Sequence, residues 1–225
     1  MNSNKSIQAD SIRAFAVVAM VLYHSTGAYL PFYNHSDYQD WWLIADFVRT
    51  STINCVPLFI MLSGMLLLGK EEPISVFFQK RVKKVVLPFL IWVLICLLYL
   101  VYIDENAYSV AKGVRLILEG PVFPHLWFMY IIIPLYIATP ILRVFCQNSN
   151  NHLFLYFLVL WGIGVGAVPI IETILAYRIN IIAMVVTTSF VGYFVAGYYF
   201  KDFLLSSRQQ KIAVLVAFFL AILTA

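Results

Sequence analysis

The chain has 225 residues, of which 62% are hydrophobic and 12% charged, with a mean hydropathy of +0.87. Soluble domains carry about 25% charged residues, so a soluble globular core is excluded and a polytopic membrane protein is implied. The net charge of +4 does not point to nucleic acid: the densest basic stretch, Lys80-Arg81-Val82-Lys83-Lys84, has no interleaved aromatics and no soluble domain to present it.

About 20 apolar residues suffice to cross a bilayer as a helix. Such runs occur at roughly 11–33, 41–69, 86–103, 125–144, 153–171 and 179–200. A seventh begins at 212 and reaches Ala225 after fourteen residues, too few to cross; an incomplete chain accounts for it better than a re-entrant segment. The expected fold is an all-α transmembrane bundle of six full spans and a partial seventh. The first run is too long for a cleaved signal peptide, and no small-residue cleavage site follows it. Lys5, Lys70, Lys80, Arg81, Lys83, Lys84, Arg143, Lys201, Arg208 and Lys211 fall on one side of this topology; Arg49, Lys112, Arg115 and Arg178 fall on the other. The excess predicts a cytoplasmic N-terminus.

In chain order, the first chemical feature is Arg13 with His24. Ten residues separate them and none is charged. A charge near the centre of a span costs about 2.5–3.5 kcal/mol on insertion scales, so an intramembrane ionisable residue is a functional hypothesis by default. Eleven residues at ~100° each return His24 to within roughly 20° of Arg13's face, about 16 Å along the axis. Asp10 lies one turn before Arg13 and can pair with it. Asp46 and Arg49 have the same i,i+3 spacing in the outer half of the second run. Ser63-Gly64 reads as a close-packing site.

The 70–84 loop is the densest basic stretch, with Lys80-Arg81-Val82-Lys83-Lys84 at its core. Read as a site rather than a topology signal, it offers Arg81 and Lys84, one helical turn apart, as a grip for a multiply charged anion. Further along, His125 and Trp127 open the fourth run on the outer side, with Trp127 and Trp41-Trp42 in an aromatic belt. Gly162 and Gly166 read as close helix packing. Cys55, Cys96 and Cys146 lack disulfide or metal spacing and read as small buried apolar residues; no metal site is expected. Together these placements predict a polar pocket open outward above a basic entrance on the cytoplasmic side.

Four blocks resemble the membrane-bound acyltransferase 3 family of bacterial integral-membrane O-acyltransferases. They are Asp10-Ser-Ile-Arg13 with His24 ten residues on; Val56-Pro-Leu-Phe-Ile-Met-Leu-Ser-Gly64; Phe78-Gln-Lys-Arg81 with Val85-Val-Leu-Pro88; and His125-Leu-Trp-Phe-Met-Tyr130 continuing to Thr139-Pro-Ile-Leu142. The blocks keep the family order over residues 10–142. The family's basic pair is commonly Arg-x-x-Arg, and here Lys84 replaces the second arginine. Family members commonly have about ten spans, and this chain ends in its seventh.

The resemblance implies one membrane-embedded acyltransferase domain over residues 1–225. It implies transfer of an acyl group, commonly acetyl, from cytoplasmic acyl-CoA to a hydroxyl of an envelope carbohydrate, in the bacterial inner membrane. Arg81 and Lys84, with Arg13, would face the donor's phosphates. His24, with Arg13 and His125, would carry the chemistry, with Asp10, Asp46, Arg49 and Trp127 in support. His24 has two open roles, general base and acyl carrier. Two other readings of the residues stand beside the enzyme: a transporter with an Arg13–His24–His125 proton or substrate path, and a non-catalytic membrane assembly partner. No internal repeat of the transporter kind is visible.

Overall fold

The computed structural model describes residues 3–34, 39–103, 115, 120–121, 126–176 and 189–202. Its elements are α1 (Ser3–Ser25), a 3₁₀ segment (Thr26–Asn34), α2 (Gln39–Thr52), α3 (Cys55–Leu67), α4 (Ile74–Arg81), a π-helical turn (Val82–Val86) and α5 (Leu87–Ile103). They continue as α6 (Trp127–Asn148), α7 (Asn151–Gly162), a second π-helical turn (Ile163–Ala167), α8 (Val168–Leu175), α9 (Ser189–Tyr199) and a 3₁₀ turn (Phe200–Asp202). No strand occurs among the described residues. The described parts of residues 1–66 and 192–225 form one compact unit, and those of 67–191 a second.

Four helices in the described residues are long and apolar enough to cross a membrane: Gln39–Leu67, Ile74–Leu100, Trp127–Asn148 and Asn151–Leu175. Only 11% of the most apolar stretch of Ile74–Leu100 is buried inside the protein. A helix apolar all round and so little covered needs lipid around it. The first run is built differently from the expected span. Its helix starts at Ser3 and ends at Ser25, where Ser25 and Thr26 turn their hydroxyls back to the Leu22 and Tyr23 carbonyls. Asp10, Arg13 and His24 dilute its hydropathy, and it is not among the four. The run at 179–200 is described only from residue 189, and the one at 212 lies outside the described residues.

Proline explains the break inside Gln39–Leu67. Pro57 has no N–H for the Ile53 carbonyl four residues back, and its ring crowds that carbonyl. The helix accordingly interrupts at residues 53 and 54. Thr52 donates its hydroxyl to the Val48 and Arg49 carbonyls. Both π-turns also lie just before an X-Pro pair, Leu87-Pro88 and Val168-Pro169. The Leu87 N–H reaches the Val82 carbonyl, and the Val168 N–H the Ile163 carbonyl, in the i→i−5 pattern. In α6, by contrast, Pro134 and Pro140 sit in α-helix.

In the first unit, α1 packs on α2 and the 3₁₀ segment. Among the described side chains, the buried residues of α1 are small, Ala9, Ala16 and Ala19, followed by buried Thr26, and Ala45 is the buried residue of α2. Elsewhere in that unit α3 and α9 touch backbone to backbone. A Cβ on Gly64 would stand 1.8 Å from the Phe194 carbonyl oxygen, and one on Gly197 1.9 Å from the Met61 carbonyl oxygen. The close packing expected at Ser63-Gly64 is therefore found at the glycine, while Ser63 bonds to its own helix at the Phe59 carbonyl.

Among the described residues, a Cβ on Gly162 or Gly166 meets nothing within 4 Å, and a π-turn lies between them. In the second unit, Val93, Cys96 and Leu126 form a small core with Phe89 and Leu97 against it. Phe145 joins α6 to α7 through Phe154 and Phe157. All three cysteines are free and buried, as their apolar setting predicts.

Gly64→Ala should destabilise the detergent-solubilised protein by about 3 kcal/mol or more, the upper end of the ordinary overpacking cost of about 1–3 kcal/mol, read as a lowered unfolding temperature, because carbonyl backbone cannot yield to a Cβ. Gly162→Ala is the control and should be neutral or stabilising, by up to about 1 kcal/mol of helix propensity. Equal responses of the two variants would contradict the backbone contact between α3 and α9.

Candidate functional site

In the first unit the site rests on α1. Its unbroken α geometry from Ser3 to Ser25 keeps Arg13 and His24 roughly 20° apart around the axis, and both are exposed. Asp10 and Arg13 form an ion pair one turn apart. With half or more of each side chain exposed, such a pair contributes at most about 1 kcal/mol; its use is to fix the direction of the guanidinium.

The residue next to His24 supplies a contact that spacing does not reveal. Tyr23 lies on the face of α1 that meets α2. Its hydroxyl accepts a 2.8 Å hydrogen bond from Arg49 Nη2, and the Arg49 guanidinium carbon stands 4.2 Å from the ring centroid. The Tyr23 and His24 rings meet edge to face at 5.5 Å. Arg49 thus points to Tyr23 across the helix pair, and it forms no ion pair with Asp46 among the described residues. Asp46 is half-buried on α2.

In the second unit the segment 70–84 departs from the expected loop. Residues 74–81 are helical and run without a break through the π-turn into α5. Charge lowers hydropathy without lowering helix propensity, since Gln, Lys and Arg are good helix formers. The one-turn spacing of Arg81 and Lys84 is altered by the π-turn between them, which rotates Lys84 away from Arg81's face. Arg81 is half-buried and Lys84 exposed.

The segment is organised by Glu72, whose side chain is 5% exposed. It receives Lys80 Nζ at 2.7 Å, Arg143 Nη2 at 3.2 Å and Lys70 Nζ at 3.5 Å. The hydrogen bond from Lys80 is the largest influence on its carboxyl. Desolvation opposes it, Arg143 and Lys70 reinforce it, and the carboxyl is held at about 2 against an ordinary 4.5. Arg143 is buried. Its Nε donates to the Leu67 carbonyl at 2.9 Å, and Gln147 donates to the Leu68 carbonyl at 3.3 Å. Sequence reading gave Arg143 only a topological role and did not single out Glu72, 71 residues away from it.

Arg81 is held differently. Its guanidinium carbon lies 5.1 Å from the Phe77 ring centroid and 5.4 Å from that of Tyr136. Its Nε is buried without a hydrogen-bond partner among the described residues. Lys83 and Lys84 are exposed beside it. Lys70, Lys80, Arg81, Lys83, Lys84 and Arg143, against Glu71 and Glu72, leave a net charge of +4 in this region. The arrangement suits a multiply charged anion.

Residues 7–225 match the family profile described as an acyltransferase domain, that of the acyltransferase 3 family. The chain belongs to the acyltransferase 3 family. Curated proteins and solved structures yield no significant match to it. Family membership supports an acyltransferase working in a membrane and gives the transporter reading no ground. Trp127 of this acyltransferase begins α6, its ring 6.3 Å from Phe190. His125 lies outside the described residues. Among the described residues, no group of three or more His, Cys, Asp or Glu side chains is placed to hold a metal.

Glu72→Gln should destabilise the acyltransferase at neutral pH by roughly 3 kcal/mol, the usual cost of breaking a buried ion pair from one side. A carboxyl held below its ordinary value contributes stability that is complete above about 4.5 and is lost as pH falls toward 2. Unfolding of wild type and variant across this window should show their difference constant above 4.5 and shrinking below it. A difference independent of pH would contradict the ion cluster.

Proposed function

We propose that this acyltransferase moves an acyl group, acetyl by preference, from cytoplasmic acyl-CoA to a hydroxyl of an envelope carbohydrate, working as one membrane-embedded domain of a bacterial inner membrane. The observation that supports the donor most strongly is Arg81. A buried guanidinium N–H without an acceptor costs about 1–3 kcal/mol, and a phosphate oxygen is the acceptor that relieves it with a charge-assisted bond. Lys84 adds an exposed point charge, suited to phosphate though without a bidentate fork.

His24 is proposed as the group that handles the proton. As general base it takes the acceptor hydroxyl's proton while the oxygen attacks the thioester carbonyl. A C–O bond forms, the C–S bond breaks, and the CoA thiolate leaves and takes up the proton from His24. As acyl carrier, the imidazole attacks first and releases the thiol, and the acceptor hydroxyl then attacks the acyl-imidazole. Both routes need a neutral imidazole, and single-turnover labelling of the protein separates them. Arg13, on the same face, and Arg49, through Tyr23, are proposed to set the surroundings of His24. His125, Asp10, Asp46 and Trp127 are proposed in support. Six full spans, a partial seventh and a cytoplasmic N-terminus complete the proposal, supported by the alternation of basic segments.

Topology is tested by cysteine labelling from outside in a cysteine-free background: position 37 should react and position 75 should not, and the reverse pattern would invert the scheme. In the mechanism, His24→Ala should lower acyl transfer about 10²–10⁴-fold with membrane insertion unchanged; near-normal turnover would remove His24. His125→Ala should cost less, since a residue near the interface has easier structural roles. Arg81→Ala with Lys84→Ala should raise KM for acyl-CoA with a smaller change in kcat, because the contact is present in ground and transition states alike. An unmoved KM, with topology intact in the same variant, would place the donor elsewhere.

A further inference from the structure

We propose that Phe77 and Tyr136 are positioning residues for the acyl donor, holding the Arg81 guanidinium between two aromatic faces so that its N–H groups stay available to phosphate. The proposal rests on the reading that Arg81 takes the donor's phosphate. Basic side chains in this region are held in two ways. Lys70, Lys80 and Arg143 are held by the Glu72 carboxylate, which uses their donors. Arg81 is held by rings, and a ring face attracts the cation without using its hydrogen bonds.

The geometry of the two rings supports this role. Phe77 and Tyr136 meet at 87° with centroids 6.4 Å apart, forming a corner, and the guanidinium carbon lies within about 6 Å of both centroids, the range of a cation–π contact. Phe77 is fully buried, so its ring has no room to swing away. Arg143 stands over the same ring at 4.6 Å, anchored in turn by Glu72 and the Leu67 carbonyl. The buried ion cluster therefore fixes Phe77, and Phe77 with Tyr136 fixes Arg81. An unrestrained arginine loses side-chain entropy when it is immobilised. Stacked beforehand, Arg81 loses less of it when the anion arrives. The Nε, buried and without a hydrogen-bond partner among the described residues, is the mark of a side chain held ready for an acceptor.

The test is steady-state kinetics of the full chain in membranes with acetyl-CoA varied. Tyr136→Leu removes one ring face and keeps the bulk; KM for acetyl-CoA should rise about 5-fold, the equivalent of about 1 kcal/mol of cation–π attraction, with kcat within about 2-fold. Tyr136→Phe keeps the face and should restore KM, which a general packing defect would not do. In an Arg81→Ala background, Tyr136→Leu should raise KM no further. If Tyr136→Leu does not accumulate in membranes, Tyr136→Met makes the same comparison. The inference is overturned if Arg81→Ala raises KM while loss of the Tyr136 ring leaves it unmoved, or if loss of the ring raises KM equally with and without Arg81. An Arg81→Ala variant with unchanged KM would instead sink the donor-site reading on which the inference stands.

Discussion

The pairing of Glu72 with Arg143 governs how the basic end of the second unit is used. A buried carboxylate demands compensation, and Glu72 receives it from three cations, one of them as buried as itself. Arg143 meets three partners at once: the carboxylate, the Leu67 carbonyl and the face of Phe77. The consequence for chemistry is a division of labour. Three basic side chains are spent on structure, while Arg81, Lys83 and Lys84 have no carboxylate partner among the described residues. Net charge alone would have counted all six as equivalent.

The first unit follows a different logic. A stripe of alanines brings α1 close to α2, and the closeness lets Arg49 reach Tyr23 beside the one histidine on α1. Small residues here have a functional consequence as well as a packing one: a larger side chain at Ala16 or Ala19 would hold α2 off and move Arg49 from the neighbourhood of His24. The contact between Gly64 and Gly197 and their opposing carbonyls does similar work between α3 and α9. In each case the sequence places its smallest residues where backbones must approach, as membrane helices do when lipid removes the hydrophobic drive for association.

What could be read from sequence follows from what is local. Helix periodicity alone puts Arg13 and His24 on one face, and the unbroken α1 keeps them there. The four blocks of family resemblance needed only order and residue type. Contacts between distant residues were not legible: Arg49 with Tyr23 and Arg143 with Glu72 depend on which helices pack, and no spacing rule encodes that. The 70–84 segment was misread as a loop because hydropathy measures polarity, and a charged helix is as polar as a loop. Gly162 and Gly166 show a related limit, since an i,i+4 rule presumes α-helix and the chain between them turns π-helical. Around His125 the structure adds nothing to the sequence.

The central claim is that this acyltransferase passes acyl groups from acyl-CoA to an envelope carbohydrate. It is tested most directly by the mass of surface glycans from cells with the protein, without it, and with its His24→Ala variant. The account predicts acyl-mass increments on the glycan in the first case and their loss in the other two. Identical glycan masses in all three, with the protein present and correctly inserted, would contradict it.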